Sequence, residues 1–282
     1  MSDAAHAPHV SALGHNASQP AFGTPHIVVV HSGGASIEAA ERVAARLSAP
    51  LLHPNEVAPG QLELRVCESG LTLARDGLEM QADFSRMLPR LRAGALQREL
   101  LVRAARIKGA DGPTALDATA GLGEDALLLA ATGFTVTLCE LDPVIYLLLE
   151  DAHRRALQDE RLAPLAARMR LVQGDSIAVL RAIAASEAGE LPSPPDVVYL
   201  DPMFPGRTKS AAVKKKFQLI HGLEQPCSSV DEEALVRAAL AARPRKVVIK
   251  RPIKGAYLAG IKPSHSLTGK AVRYDCLIPP QA

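Results

Sequence analysis

Acidic residues stand where four apolar segments of this chain end, and carboxylates at such positions could bind a nucleoside. The four are Asp117, Glu140, Asp175 and Asp201. A carboxylate can accept hydrogen bonds from ribose hydroxyls or from the exocyclic amine of a base. The chemistry that this pattern favours is therefore the binding of a nucleotide-like cofactor or substrate.

The first of these segments runs into a glycine-containing turn, D-A-T-A-G-L-G-E-D, over residues 117–125. Gly121 and Gly123 let the backbone pass close to a ligand and then turn sharply into a helix. Together with Ala126 they satisfy the pattern G-x-G-x-x-G/A of dinucleotide-binding proteins. The alternative is a tight turn between a strand and a helix that binds no ligand.

Glu140 and Asp175 each leave two interpretations open. Glu140 lies nineteen positions after Gly121, where a carboxylate can accept both ribose hydroxyls of NAD or of S-adenosylmethionine. Its alternative is an exposed acid at the end of a strand. Asp175 could accept the exocyclic amine of adenine, or it could cap the helix that follows. Asp142, next to Pro143, is predicted to be the N-cap of another helix.

The turn Asp201-Pro202-Met203-Phe204-Pro205 discriminates most between functions. Two prolines flank a Met-Phe pair directly after an apolar strand, so the turn is stiff. Such a turn holds Asp201 at the edge of the sheet and projects Phe204 over the pocket. An enzyme that methylates an amine has a use for this element, whereas a hydride-transfer enzyme has none. The alternative is a rigid turn with a capping Asp.

The elements that must position these residues alternate between strand and helix from Pro113 onward. Strands are predicted at 115–119, 135–140, 168–173, 196–201 and 245–250, and helices at 124–132, 143–157, 175–185 and 231–242. This alternation predicts a doubly wound α/β fold with a mostly parallel sheet and helices on both faces. Ligands of such sheets bind outside the carboxyl ends of the strands. Residues 270–278 could add an antiparallel edge strand.

The preceding residues form two further regions. Residues 1–25 are predicted to be a disordered tail, residues 26–108 a small α+β region with a basic helical linker, and residues 109–282 the ligand-binding domain. Within the α+β region we expect a strand at 26–30, a helix at 37–47 capped by Ser36, and a hairpin at 62–66 and 71–74. Residues 84–108 are predicted to be helical.

Composition excludes several classes of protein. The 282 residues include 3% aromatic residues and no Trp, which argues against an aromatic-rich carbohydrate-binding surface. No apolar run approaches the roughly 20 residues that span a bilayer, and the start lacks the features of a Sec signal peptide, so no membrane partner is expected. Four widely spaced cysteines predict reduced thiols and a cytoplasmic location. We expect no metal site, because neither the cysteines nor the histidines show ligand spacing.

The formal net charge of +2 conceals a polarised distribution. Residues 201–282 hold 15 Lys and Arg against 6 Asp and Glu, a net charge of +9, whereas residues 1–200 carry −7. Such a basic half next to the Asp201 turn predicts contacts with the phosphates of RNA. The residues predicted to make them are Arg207, Lys209, Lys214, Lys215, Lys216, Lys250 and Arg251. The alternative is a solvated helix face.

These motifs resemble those of class I S-adenosylmethionine-dependent methyltransferases. The stretches DATAGLGEDALLLA, DVVYLDPMFPGRTKSAAVKKK and KVVIKRP are similar to the RsmJ family, guanine-N2 methyltransferases of small-subunit ribosomal RNA. The resemblance implies a Rossmann-like, seven-stranded sheet, S-adenosylmethionine as cofactor, and ribosomal RNA or the small ribosomal subunit as partner. The implied cofactor contacts are Asp117, Gly121, Gly123, Glu124, Asp125, Glu140, Leu141, Asp175, Ser176 and Asp201.

With a guanine as substrate, we expect Asp201 and the Pro202 carbonyl to accept the hydrogens of the amine and Phe204 to stack on the base. Three other functions stay open. The chain could methylate an amine of another nucleic acid or of a protein. It could be an NAD-dependent dehydrogenase, which the glycine pattern and Glu140 favour. It could also be an RNA-binding protein without catalytic activity that uses the basic residues.

Overall fold

The computed structural model describes residues 27–191, 194–202, 219, 223 and 229–280. The predicted tail at residues 1–25 lies outside these ranges. The described chain forms two β-sheets, one after the other along the sequence. No helix in these ranges is long and apolar enough to cross a membrane.

The first sheet has five strands in the order β2-β1-β3-β4-β5. They are β1 (Ile27–His31), β2 (Leu51–Leu52), β3 (Leu62–Cys67), β4 (Gly70–Arg75) and β5 (Leu78–Met80). Helix α1 (Ile37–Leu47) follows β1, and the Ser36 hydroxyl caps it by accepting the Ala39 N–H at 3.2 Å. The predicted strand, capped helix and β3–β4 hairpin are therefore confirmed. The short strands β2 and β5 had no sequence signal of their own.

The prediction of one helix over residues 84–108 is wrong. This segment forms a 3-10 helix (Phe84–Met87) and three short α-helices, α2 (Leu88–Leu91), α3 (Ala93–Leu96) and α4 (Leu100–Ala105), with extended backbone at Arg92 and Glu99. The breaks allow an ion pair that a continuous helix would not, in which Arg90 donates to both carboxylate oxygens of Glu99, at 2.8 and 2.9 Å. In a continuous helix, residues nine apart would be separated by about 13 Å along the axis.

The second sheet has seven strands in the order β11-β12-β10-β9-β6-β7-β8. They are β6 (Thr114–Asp117), β7 (Thr135–Glu140), β8 (Met169–Gln173), β9 (Val197–Leu200), β10 (Lys246–Pro252), β11 (His265–Thr268) and β12 (Val272–Leu277). Strands β6 to β10 are parallel, and β12 and β11 are antiparallel additions. The predicted doubly wound, mostly parallel sheet of seven strands is confirmed.

The edge of this sheet differs from the prediction in one strand. Residues 270–278 do supply an antiparallel strand, β12, but β11 lies outside it and forms the edge. Strand β11 has the sequence H-S-L-T and is mostly exposed. It therefore lacks the alternation of apolar and polar residues by which a half-buried strand is recognised.

Helices cover both faces of the second sheet. They are α5 (Glu124–Ala130), α6 (Pro143–Ala156), α7 (Ala163–Ala166), α8 (Ser176–Ala184) and α9 (Ser229–Ala241). On one face, Leu127 and Leu148 share a hydrophobic cluster with Leu64 and Leu73 of the first sheet. On the other face, α8 and α9 pack in a separate cluster. One hydrophobic core therefore continues from the first sheet into the second, and the predicted boundary near residue 108 stays a prediction.

A buried carboxylate also joins the two sheets. Asp151 of α6 accepts the backbone N–H of Leu71 in β4 at 3.0 Å and the Nε–H of Arg155 at 2.9 Å. Gly70 makes room for this contact, because a Cβ there would lie 2.4 Å from an Asp151 oxygen. The N-terminal sheet is thus fixed to α6 by hydrogen bonds as well as by apolar packing.

Candidate active site

The strand order of the second sheet reverses at β6. Strands β7 and β8 lie on one side of β6, while β9 and β10 lie on the other. Ligands of open α/β sheets bind outside the carboxyl ends of the strands at such a reversal. This edge brings together Asp117, Glu140 and Asp201, which are the last residue of β6, the last residue of β7 and the residue after β9.

The loop after β6 has the two left-handed residues that its glycines predicted. Gly121 and Gly123 have φ angles of +53° and +77°. A Cβ on Gly121 would meet no atom within 4 Å, so the space above this residue is open to a ligand. A Cβ on Gly123 would lie 2.6 Å from Leu149 Cδ1 and 3.1 Å from Phe84 Cζ. Gly121 therefore borders the open site, whereas Gly123 packs into the core beneath it.

Glu140 holds this loop in place with its carboxylate. One oxygen accepts the Gly121 N–H and the other accepts the Asp142 N–H, both at 2.8 Å. Burial raises the pKa of Glu140 to about 7, although the backbone N–H donors at Asp142 and Gly121 lower it. Each carboxylate oxygen has further lone pairs for ribose hydroxyls. The neighbouring Leu141 is 49% exposed and offers an apolar surface beside them.

Two acids after β7 and β8 cap helices. Asp142 caps α6 by accepting the N–H groups of Val144 and Ile145, which confirms the prediction. Asp175 caps α8 with one oxygen, Oδ1, which accepts the Ile177 N–H at 2.9 Å. The capping interpretation of Asp175 is therefore observed, and its contact with an adenine amine stays a prediction. Ser176 is the first residue of α8.

The Asp201 carboxylate is one of two that share a lysine. Lys250 Nζ donates to Asp125 Oδ2 at 2.6 Å and to Asp201 Oδ2 at 2.8 Å. The Tyr199 hydroxyl donates to the same Asp125 oxygen at 2.6 Å. The backbone N–H of Asp201 donates to Thr119 Oγ1 at 2.6 Å, which ties the end of β9 to the loop after β6.

Burial and neighbouring charges have opposite effects on the pKa values of Asp125 and Lys250, which form a cluster with Asp201 and Tyr199. Burial tends to raise the pKa of Asp125, but the Lys250 ammonium and the hydrogen bond from Tyr199 bring it below its ordinary value. Burial likewise opposes the charge of Lys250, yet Asp125 and Asp201 raise its pKa well above the usual range. Burial raises the pKa of Asp117 well above its ordinary value, so the site favours the uncharged form of that carboxyl.

Two residues predicted to contact RNA phosphates have partners within the protein. The partly buried Lys250 pairs with two carboxylates, and the buried Arg251 donates from Nε to the Ala256 carbonyl at 2.9 Å. Their strand, β10, lies between β9 and β12, and both faces of the sheet are covered. This position argues against a contact of either side chain with RNA, and the two phosphate contacts stay predictions.

The remaining predicted residues are only partly within the described ranges. Pro202 is buried next to Asp201, and Glu124 and Asp125 begin α5 at the end of the glycine loop. Outside the described ranges lie Phe204, Arg207, Lys209, Lys214, Lys215 and Lys216. The stacking role of Phe204 and the phosphate contacts of the five basic residues therefore stay predictions.

Sequence reasoning missed Tyr199, Thr119 and the role of Lys250. A signal was present for two of them. Tyr199 and Asp201 are two residues apart, which places their side chains on the same face of an extended chain. Lys250 is the first charged residue after the apolar run V-V-I, and Ile249 pairs with Leu200 in the neighbouring strand. A lysine in that register lies beside the residue after β9, which is Asp201.

Comparison with known proteins identifies relatives over nearly the whole chain. The family model described as "Putative SAM-dependent methyltransferase" matches residues 52–279. Ribosomal RNA small subunit methyltransferase J of Pseudomonas fluorescens (strain Pf0-1) is 42% identical over 272 residues, which cover 91% of this chain and 95% of that protein. The protein of the same name from Thioalkalivibrio sulfidiphilus (strain HL-EbGR7) is 42% identical over 247 residues, covering 86% and 93%.

A solved structure supports the same assignment. The crystal structure of a SAM-dependent methyltransferase from Neisseria gonorrhoeae superimposes with a TM-score of 0.67 at 29% identity. The superposition covers 90% of this chain and 96% of that one. These matches favour S-adenosylmethionine over NAD, the two cofactors that the glycine pattern and Glu140 left open.

The residues at the carboxyl edge of the sheet fit S-adenosylmethionine. Gly121 leaves open space above the loop, Glu140 would accept the hydroxyls of a ribose there, and the exposed apolar side chain of Leu141 would pack on an adenine ring. The site thus matches the cofactor that the family model requires. The chain belongs to the family of S-adenosylmethionine-dependent methyltransferases that includes ribosomal RNA small subunit methyltransferase J.

Proposed function

We propose that this enzyme transfers the methyl group of S-adenosylmethionine to the exocyclic N2 amine of a guanine in 16S ribosomal RNA. The observation that carries the proposal is the place of Asp201. Its carboxylate stands at the reversal of strand order and pairs with Lys250, while Thr119 Oγ1 accepts the backbone N–H of Asp201 and fixes the residue beside the Gly121 loop. The names of the relatives supply the substrate class, small-subunit ribosomal RNA.

The chain's own contribution to this reaction is to position and orient the amine. When bound, S-adenosylmethionine supplies a methyl group on a positively charged sulfur, which keeps the electron pair of the broken C–S bond as a neutral thioether. The Asp201 carboxylate and the Pro202 carbonyl accept the amine hydrogens, so that the nitrogen lone pair faces the methyl carbon. As the N–C bond forms, the nitrogen gives up one proton to Asp201, which releases it to solvent. Proximity and orientation of this kind contribute about 7–11 kcal/mol to lowering a barrier.

The target base must be reachable by this edge of the sheet. A guanine N2 amine inside a duplex is covered by its neighbours, so the enzyme acts on an unpaired or flipped base. Phe204, two positions after Pro202 in the sequence, is the residue that we assign to stack on it, a contact worth about 1–3 kcal/mol. The basic residues from Arg207 to Lys216 follow at once and supply contacts to neighbouring phosphates. The reaction belongs to the cytoplasm, where ribosomal RNA is found.

Mass mapping of 16S ribosomal RNA tests the proposal in cells. RNA from a strain that lacks this gene is expected to miss one methyl group on a single guanine. The wild-type gene restores that methyl group, whereas the Asp201→Ala gene does not. If every guanine keeps its methylation in the deletion strain, 16S ribosomal RNA is not the substrate, and methylation of another RNA or of a protein amine becomes the leading alternative.

A further inference from the structure

We propose that Lys250 is a positioning residue for methyl transfer, which fixes the Asp201 carboxylate in its orientation and in its ionised form. This inference rests on the proposed function, because that function gives Asp201 the amine to bind. It replaces the role that the sequence predicted for Lys250, a contact with RNA phosphate.

The geometry places the ammonium group between two acids from different elements. Asp125 comes from the first turn of α5 and Asp201 from the end of β9, and Lys250 Nζ contacts one oxygen of each at 2.6 and 2.8 Å. The Lys250 side chain is only 18% exposed. The cation is therefore held inside the protein and is not available to a phosphate on the surface.

The second acid explains why a cation is needed here. Without the ammonium, the carboxylates of Asp125 and Asp201 would face one another with the buried carboxyl of Asp117 behind them. Like charges that share a site disfavour ionisation, so one of the pair would hold a proton at neutral pH. A protonated Asp201 could not take up the proton that the methylated nitrogen loses. Lys250 thus keeps Asp201 able to accept the proton from the methylated nitrogen.

Other charged or titratable groups also face the cluster, and they do not replace Lys250. They are Asp117 from β6, Tyr199 from β9, Arg251 from β10, Tyr274 from β12 and Arg90 from α2. Arg251 donates to the Ala256 carbonyl and lies 3.9 Å from Glu232. Burial raises the pKa of both tyrosines, which keeps them uncharged at neutral pH. Arg90 is engaged by Glu99. Lys250 is accordingly the main positive charge that balances the carboxylates of Asp125 and Asp201.

The test is the pH profile of kcat for Lys250→Met, measured with 16S ribosomal RNA from a deletion strain and S-adenosylmethionine. We expect the pH profile of the variant to acquire an acidic limb from the protonation of Asp201. At pH values below the pKa of that group, kcat should fall about tenfold per pH unit, and it should recover at alkaline pH. The KM for S-adenosylmethionine should stay within about twofold, since the Gly121 loop and Glu140 are intact. Lys250→Arg, which keeps the positive charge, should retain the shape of the wild-type profile.

Lys246→Met is the matched control for loss of a partly buried lysine on the same strand. Lys246 lies at the other end of the same strand, where its ammonium group donates to the carbonyls of Ala104 and Arg106 at 2.8 and 3.1 Å. This variant should melt at a lower temperature and keep the wild-type pH profile. A merely structural role of Lys250 predicts the same behaviour for Lys250→Met, and profiles parallel to wild type would overturn the proposal.

Two further observations keep the test decisive. If Lys250→Met does not fold, Lys250→Gln, which keeps an N–H donor without the charge, is compared with Lys250→Arg in the same way. The acidic limb must appear with Gln and not with Arg. Failure of the proposed function has a different signature, because wild-type enzyme would then leave the RNA unmethylated at every pH.

Discussion

The ring of Phe84 lies against the backbone of Gly123, so closely that a Cβ on Gly123 would stand 3.1 Å from the ring's Cζ atom. Phe84 follows the first sheet in the chain and is buried, whereas Gly123 ends the cofactor loop and precedes α5. The N-terminal region is thus packed beneath the Gly121 loop, which we assign to S-adenosylmethionine. In this fold it supports that loop.

The two glycines of the loop should respond differently to alanine. Gly123→Ala combines left-handed backbone strain of about 1–2 kcal/mol with overpacking of about 1–3 kcal/mol against Phe84 and Leu149. We expect it to lower the free energy of unfolding by about 2–5 kcal/mol. Gly121→Ala carries only the strain, but its methyl group enters the open cofactor space. It should weaken S-adenosylmethionine binding more than it lowers stability. Denaturant unfolding measures the stability of the two variants, and calorimetry measures their affinity for S-adenosylmethionine. If both variants lose stability and affinity equally, Gly121 does not border the cofactor site.

Binding of the cofactor should be linked to the protonation of Glu140. Burial raises the pKa of Glu140 to about 7 in the free protein, whereas ribose hydroxyls donate to the ionised carboxylate and favour it. The affinity for S-adenosylmethionine should therefore rise as pH increases toward about 7 and level off above it. Below that pH, binding should release a proton, which calorimetry in two buffers of different ionisation enthalpy detects. Glu140→Gln should bind weakly and without proton release; an unchanged proton release in that variant would exclude Glu140.

Two neighbouring acids on α6 allow a matched test of how the sheets are joined. Asp151→Ala leaves the buried Leu71 N–H and the Nε–H of Arg155 without their acceptor, so it should cost about 3 kcal/mol of stability. Glu150 pairs with Arg46 at the more exposed part of the same junction, and Glu150→Ala should cost less than about 1 kcal/mol. Thermal unfolding compares the two variants. Similar melting temperatures would show that the buried hydrogen bonds do not hold the junction.

The affinity for single-stranded RNA should depend on salt. If Lys250, which pairs with two carboxylates, and the buried Arg251 do not meet RNA, five of the predicted phosphate contacts remain: Arg207, Lys209, Lys214, Lys215 and Lys216. Five such contacts give a slope of about −3.5 for log affinity against log salt concentration. Fluorescence anisotropy with a labelled RNA measures the slope. Replacing three of the lysines with alanine should reduce its magnitude to about 1.4, and a flat response in wild type would argue against RNA as substrate.

The sequence predicted those residues of the site that lie at the ends of strands. Asp117, Glu140 and Asp201 follow from the alternation of strands and helices, because parallel strands carry their carboxyl ends to one edge. The pairing of Lys250 with Asp201 could be read from the register of β10 on β9, but its second partner, Asp125, lies 125 positions away and carries no such signal. Helical periodicity likewise does not reveal the breaks in residues 84–108 or the Arg90–Glu99 ion pair that forms across them.

The role of Asp201 is measured most directly by methyl transfer in vitro. Purified enzyme, labelled S-adenosylmethionine and 16S ribosomal RNA from a deletion strain are compared for wild type, Asp201→Ala and Asp196→Ala. Asp196 is the control, because it lies at the opposite end of β9 and accepts the Thr114 N–H there at 2.8 Å. We predict that Asp201→Ala abolishes methyl transfer to a single guanine N2 while RNA affinity stays within about twofold, and that Asp196→Ala keeps wild-type turnover at a temperature where it is folded. Wild-type turnover by Asp201→Ala would contradict the account.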